Sequence, residues 1–208
     1  MARRARKLNV NDETRDRVLE AAMTAIAEQG LHGVRMAHIA ELSGMSSGHI
    51  LYYFKSKDRI LAETLAWSEE HLAGPRHAEL AGIEDAPGRL VRYIESYLPT
   101  GPRDPTWMLW FEVYGLSPVN EEIARLSEEL ERGWWDELAD IVAYGIRRGE
   151  FARVDPDEFA ERFCLMLGGF SICMIAGRPG ATRERTLRRV TSIAASELGF
   201  RLSGLRRD

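Results

Sequence analysis

Along almost the whole chain, apolar residues recur every three or four positions, the spacing that lines up one face of an α-helix, while alternating β-branched runs are scarce. Glycine and proline fall between these amphipathic stretches and not at hairpin spacing. The chain therefore reads as all-α. Its 208 residues, 45% hydrophobic and 29% charged, can bury a sizeable core in one or two domains.

No run reaches the roughly 18 apolar residues that a membrane span needs. The N-terminus opens with Arg3, Arg4, Arg6 and Lys7 and no apolar segment behind them, so we expect a cytoplasmic protein without membrane attachment. Cys164 and Cys173 lie nine residues apart in one expected helix, about half a turn around it, and cannot pair with each other. No Cys/His spacing fits a zinc site, and His71 and His77, flanking Gly74 and Pro75, read as surface residues. Neither a metal nor a cofactor is expected.

Net charge is −4, but it is unevenly placed. Residues 1–60 hold ten Lys/Arg against seven Asp/Glu, and the remaining residues hold 18 against 25. A positive head on an acidic body suits phosphate contact at one end only.

The pattern predicts a first helix capped by Asn11, with Asp12 and Glu13 in its first turn, Val18, Ala22, Ala25 and Ile26 facing inward, and Gly30 ending it. A short second helix runs over 36–43 and stops at Gly44. Ser46 caps a third to about Tyr53, and Ser56 caps a fourth that carries Ile60, Leu61, Leu65 and Trp67 to about His71. Residues 74–88, with Pro75 and Pro87, read as an irregular connection or broken helix. Further helices are expected near 88–98, 104–116, 119–148, 156–177 and 182–198. The organisation is then a basic arm (1–10), a helix-turn-helix domain (11–56), a helical effector-binding and dimerisation domain (57–200) and a tail (201–208).

A helix-turn-helix needs a small residue where its helices cross, a glycine at the turn and apolar residues that lock the second helix onto the first. Over residues 36–55 these are Ala40, Gly44, and Ile39, Met45, Ile50 and Tyr53, with polar Ser43 the weak member. An ordinary helical hairpin can show the same spacing. The stretch Ile39-Ala40-Glu-Leu-Ser-Gly44-Met-Ser46-Ser-Gly48-His-Ile50-Leu-Tyr52-Tyr53-Phe54-Lys55-Ser-Lys57-Asp58 goes further and resembles the DNA-binding domain of the TetR family, over about residues 12–60. The family usually has Ser or Thr where this chain has Arg35, and often Tyr where it has Leu51.

A short helix entering the major groove presents its N-terminal residues to base edges, here Ser46, Ser47, Gly48 and His49. Ser47 and His49 can hydrogen-bond bases, and Gly48 permits close backbone approach. Tyr52 and Tyr53 divide between phosphate contact and packing. Lys55 and Lys57, beside the N-terminus of the fourth helix, are assigned to the DNA backbone, and Arg35 completes the DNA-binding set. The arm from Arg3 to Lys7 reads either as a minor-groove contact or as a solubilising tail.

The body contains fourteen uncharged residues, 163–176, apolar around most of a helix. Such a helix is either the centre of a monomer or part of a dimer. The resemblance implies the second, because in the TetR family the last two helices pair with their two-fold mates. Phe163 and Leu167, with Leu187, Val190, Ala194 and Leu198, are the expected interface. A homodimer with two recognition helices calls for a roughly palindromic operator of double-stranded DNA.

Trp107, Trp110, Phe111 and Tyr114 share one helical face, and Trp67, Trp134, Met166 and Phe170 can join them around a small-molecule effector. Core packing accounts for such a stripe equally well. The Trp-rich region, residues 145–151 and Val154-Asp155-Pro156 look similar to the betaine-regulator-like subgroup of the family. A cationic effector could sit on Trp faces near Glu112, and a neutral hydrophobic one fits equally well.

These readings imply a ligand-responsive repressor whose effector changes the separation of the recognition helices and releases DNA. No Ser-His-Asp order, paired-carboxylate motif, phosphate loop or metal spacing supports catalysis, so an enzyme is not expected. The alternative is a small-molecule-binding or enzymatic helical dimer without DNA function.

Overall fold

Val18, Leu19, Ala22, Ala25 and Ile26 are buried along one side of the first helix, α1 (Val10–Gln29), which ends at Gly30 in the left-handed conformation (φ +68°). The structure, a computed structural model, describes residues 10–30 and 33–201, and the side chains of all of these except 10–12. α1 begins one residue before the expected Asn11 cap, whose side chain, like that of Asp12, lies outside the described residues. The basic arm at 1–9 and the tail from 202 onward lie outside them too.

The remaining helices are α2 (Met36–Ser43), α3 (Ser47–Phe54), α4 (Lys57–Ala81), α5 (Ala86–Tyr97), α6 (Pro105–Leu116), α7 (Glu121–Arg147), α8 (Pro156–Ile175) and α9 (Arg183–Leu198). A 3-10 turn, Ser117–Val119, precedes α7, and no strand occurs among the described residues. The all-α expectation holds. The described chain divides into two compact units, one taking residues up to 70 and 105–126, the other 71–104 and 127 onward. Two of the three crossings between them fall inside α4 and α7, and the third falls in the connection that leads into α6.

In the first unit, the core combines the apolar side of α1 with Ile39 and Ala40 of α2, Ile50 and Phe54 of α3, Ile60, Leu61 and Leu65 of α4, and Leu109 and Val113 of α6. Ser43 is buried among them, and its hydroxyl donates to the Ala40 carbonyl at 3.3 Å, which meets the need of a polar group inside a core.

In the second unit, Leu90, Tyr93 and Ile94 of α5 pack with Leu138 and Val142 of α7, Phe159, Phe163 and Leu167 of α8, and Val190, Ala194 and Leu198 of α9. Asp85 caps α5, accepting the Gly88 N–H at 2.7 Å. At its far end, the Arg183 guanidinium donates to the carbonyls of Glu95 and Leu98 at 2.7 Å and of Pro99 at 3.1 Å, acceptors that a helix end leaves over. Gly145 is fixed by close approach, because a Cβ there would stand 2.2 Å from the Phe151 ring.

The expected break over 74–88 is largely absent: α4 continues through Gly74 and Pro75 to Ala81. Pro75 has no N–H for the carbonyl four residues back, a cost of about 3 kcal/mol in a helix interior. Beyond it, Leu80 is buried and Arg76 pairs with Glu137 at 2.7 Å, so tertiary packing offsets the local penalty.

Candidate nucleic-acid interface and aromatic sites

The turn between α2 and α3 closes on two backbone bonds. The Gly44 N–H donates to the Glu41 carbonyl at 3.2 Å and the Met45 N–H to that of Ala40 at 3.0 Å, with Gly44 left-handed at φ +68°. This pairing ends α2 within one residue and requires positive φ at the glycine. Ser46 caps α3, its hydroxyl accepting the His49 N–H at 3.2 Å. Ile50 and Phe54 point into the core, so the opposite side of α3 is turned to solvent.

That outer side carries Gly48, His49, Tyr52 and Tyr53, all exposed, Tyr52 at 71% and Tyr53 at 46%. The His49 and Tyr53 rings stack with centroids 5.2 Å apart, and Tyr52 meets Tyr53 edge-on at 5.6 Å. Ser46 is exposed and Ser47 half-buried, and nothing stands within 4 Å of where a Gly48 side chain would begin. Arg35 is exposed at the cap position of α2, where it makes no capping hydrogen bond.

Lys55 is exposed and Lys57 half-buried. Lys55 is the non-glycine residue with positive φ among those described (φ +69°, ψ −40°), and the Ser56 N–H donates across it to the Phe54 carbonyl at 2.8 Å. Such a turn is strained for a residue with a side chain. It holds because Phe54 is buried on one side, and on the other Ser56 caps α4 by accepting the Arg59 N–H at 3.1 Å. The Lys55 ammonium donates to the Tyr52 carbonyl at 2.8 Å and lies 5.0 Å from the Tyr52 ring. Behind this turn, Arg59 pairs with Glu122 and Glu63, which hold its guanidinium above its usual pKa.

The eight expected effector residues fall in both units. Trp67, Trp107, Trp110, Phe111 and Tyr114 belong to the first, and Trp134, Met166 and Phe170 to the second. Trp110 is buried, its indole donating to the buried Glu69 carboxylate at 2.9 Å, and Tyr114 packs on it at 5.3 Å. Trp67, Trp107, Phe111 and also Glu112 are half-buried.

Trp134 instead has Tyr97 and Tyr93 edge-on to it, with centroids 5.1 and 5.6 Å away. The Tyr93 hydroxyl donates to the Trp134 carbonyl at 2.8 Å and lies 3.2 Å from the Cys164 thiol. Burial pushes Cys164 up to about 12 and Tyr93 well above 10, so both stay protonated. Cys173 is separate and half-buried, and both cysteines are free. Sequence reasoning missed Tyr93, Tyr97, Glu69, Arg76 and Glu137. The tyrosines carried a signal in their four-residue spacing, but the charged residues carried none.

The six expected interface residues sit within the body's own packing. Phe163, Leu167, Val190, Ala194 and Leu198 are buried and Leu187 is half-buried. The open side of α8 instead shows Leu165, 62% exposed, with Gly169 and Ile172, and α9 shows Ile193. Among the described residues, no helix is long and apolar enough to cross a membrane, and no cluster of three His, Cys, Asp or Glu is placed to hold a metal ion.

Residues 18–64 match the profile of bacterial regulatory proteins of the tetR family, and residues 86–199 that of the C-terminal region of BetI-type transcriptional repressors. The HTH-type transcriptional regulator BetI of Yersinia pestis (strain Pestoides F) is 27% identical over 155 residues, covering 67% of this chain and 78% of its own. The HTH-type transcriptional regulator RutR of Escherichia coli (strain K12) is 28% identical over 145 residues, covering 67% and 65%. A crystal structure from Saccharomonospora viridis, described as a transcriptional regulator in complex with choline, is 34% identical with a TM-score of 0.77, covering 87% of this chain and 95% of that one. This chain belongs to the TetR family of bacterial transcriptional regulators, with a C-terminal region of the BetI type.

Proposed function

We propose that this regulator represses transcription by holding a roughly palindromic operator as a homodimer, and that a small organic cation of the choline kind releases it. The observation that carries the DNA contact is the outward side of α3, where Ser47, Gly48, His49 and Tyr52 stand behind a capped N-terminus with no core role. Ser47 and His49 read base edges, while Lys55, Lys57, Arg35 and the tyrosine hydroxyls meet phosphates. Lys55 leaves its carbonyl contact to do so.

Dimerisation uses the side of α8 that the protomer leaves open. Leu165, Gly169 and Ile172 repeat at helical spacing, and glycine lets a second helix come close. An exposed apolar stripe of this kind loses least when a copy of itself covers it.

Support for a cationic effector comes from two aromatic sites with a buried carboxylate, Trp110, whose indole donates to Glu69, and Trp134, whose face carries the Arg76 that pairs with Glu137, and from the choline complex of the Saccharomonospora viridis relative. In this reading a tenfold loss of operator affinity needs about 1.4 kcal/mol of coupling between effector and DNA.

The test is operator binding at several salt concentrations by the intact chain and by a Lys55→Ala, Lys57→Ala double variant, using the DNA upstream of its own gene. Sequence-selective binding is expected, with a salt dependence in the variant shallower by about one for each phosphate left unneutralised, and choline should release the intact protein. Equal binding of upstream and random DNA would sink the repressor reading.

A further inference from the structure

In the second unit an open groove of about 560 Å³ is lined by α4, α5 and α7, where Asp136, Glu137 and Asp140 stand with Arg89, Arg147 and His77. Glu137 is the acid among them that turns inward, with its side chain 7% exposed. Its Oε2 accepts the Arg76 Nε–H at 2.7 Å. Its Oε1 lies 2.9 Å from His77 Nε2 but outside hydrogen-bonding geometry, and has no hydrogen-bond partner. A buried carboxylate oxygen in that state strongly favours an additional cation or donor.

Arg76 is itself 9% exposed, and its guanidinium carbon lies 3.7 Å from the centre of the Trp134 ring, which Tyr93 and Tyr97 meet edge-on. Its hold on Glu137 is one hydrogen bond, not the two-pronged fork a guanidinium can make. An aromatic face with a carboxylate beside it is the pairing that recognises small organic ammonium ions. Here the chain's own arginine fills it.

We propose that Arg76 is an internal occupant of a cation cage, and that a small organic ammonium ion entering along this groove takes over Glu137 and the Trp134 face and displaces it. The inference rests on the reading of the effector as a cation and adds how binding is sensed. Arg76 follows Pro75 directly, where α4 already lacks one helical bond. Displacing it unfastens the last turns of α4 from Glu137, so ligand occupancy is converted into a change in the helix that begins beside the recognition helix. The occupied and empty cages then differ in one ion pair, a differential contact of the kind that shifts a two-state equilibrium.

The experiment is calorimetric titration of the full-length protein with tetramethylammonium and with choline, for the wild type, Arg76→Gln, Arg76→Lys, Glu137→Gln and Trp134→Leu. Removing the internal cation should tighten binding by about tenfold in R76Q, whereas R76K, which keeps a cation, should stay near wild type. E137Q and W134L should lose binding. In the wild type, the Arg76 Nε–H resonance, shifted by the Trp134 ring, should move toward its solvent position as the cation is added, a readout that needs no variant to fold.

R76Q binding no tighter than wild type, or an unmoved Arg76 resonance at saturating cation, overturns the proposal. If choline releases DNA but E137Q and W134L bind it unchanged, the cage fails and the cationic-effector reading stands. If the wild type binds no cation while R76Q does, Arg76 is an occupant that no ammonium ion displaces, and both the proposal and the cationic-effector reading fail. Binding by neither overturns both.

Discussion

The outer side of α3 and the surroundings of Trp134 are both sites built from aromatic and charged side chains, yet they are held in opposite ways. On α3 the holding contacts are local: Ser46 to His49, Gly44 to Glu41, Lys55 to Tyr52 and His49 on Tyr53. Around Trp134 they join residues far apart in the chain, Arg76 to Glu137, Tyr93 to Trp134 and Tyr93 to Cys164. A locally held surface can meet DNA as a preformed piece whatever the rest of the chain does. A site assembled from three or more helices responds when any one of them shifts, which is what an effector site needs.

The sharpest way to break this comparison is Tyr93→Ala. Tyr93 is fully buried and joins α5 to α7 and α8, so its loss should cost about 3–5 kcal/mol in chemical denaturation, the range for a buried aromatic. A loss under about 1 kcal/mol would mean that the body tolerates cavities as a surface does.

Alkaline titration tests the same centre without changing its shape. The folded Cys164 thiol, at about 12, sits above its ordinary 9.0, and Tyr93 shifts in the same direction. The folded state therefore holds these protons more tightly than the unfolded state. Their contribution is complete below pH 9 and is lost as pH rises toward 12. Denaturation midpoints should fall over that window, and Cys164→Ser, which does not titrate there, should flatten the fall. An unchanged slope in that variant would show that the thiol plays no part.

In the head the expected effects are smaller and remain local. Gly44→Ala places a side chain at φ +68° and should cost about 1–2 kcal/mol, with the far-UV spectrum of the body retained. Smaller still is Arg35→Thr, which supplies the missing cap of α2 and should raise stability by about 1 kcal/mol while weakening DNA affinity through removal of the positive charge. Denaturation and operator binding measured on one preparation check both halves, and a stability loss would mean that Arg35 holds α2 by another route.

Much of the local architecture was legible in the residues alone. Gly30, Gly44, Ser46 and Ser56 mark helix ends because left-handed φ and side-chain capping are needs that few residue types meet. The inward face of α1 followed from spacing alone. At Pro75 the same logic failed, since a breaker weighs about 3 kcal/mol locally and the buried Leu80 and paired Arg76 that outweigh it are not visible in a window of neighbours.

By itself, the sequence determined the helical class and the turn between α2 and α3, because each depends on contacts within a few residues; on α3 it placed Ile50 inward correctly but expected Tyr53 to lock the helix, and Tyr53 is exposed. Only the tertiary structure decided that Val190, Ala194 and Leu198 belong to the protomer's own core, that Leu165 and Ile172 are left open, and that Arg76 lies over Trp134. An apolar stripe states that a helix face will be covered but not by what, and a lone arginine states a charge but not its partner. Those choices are made by packing across long sequence separations, where the energy of one residue depends on where all the others have settled.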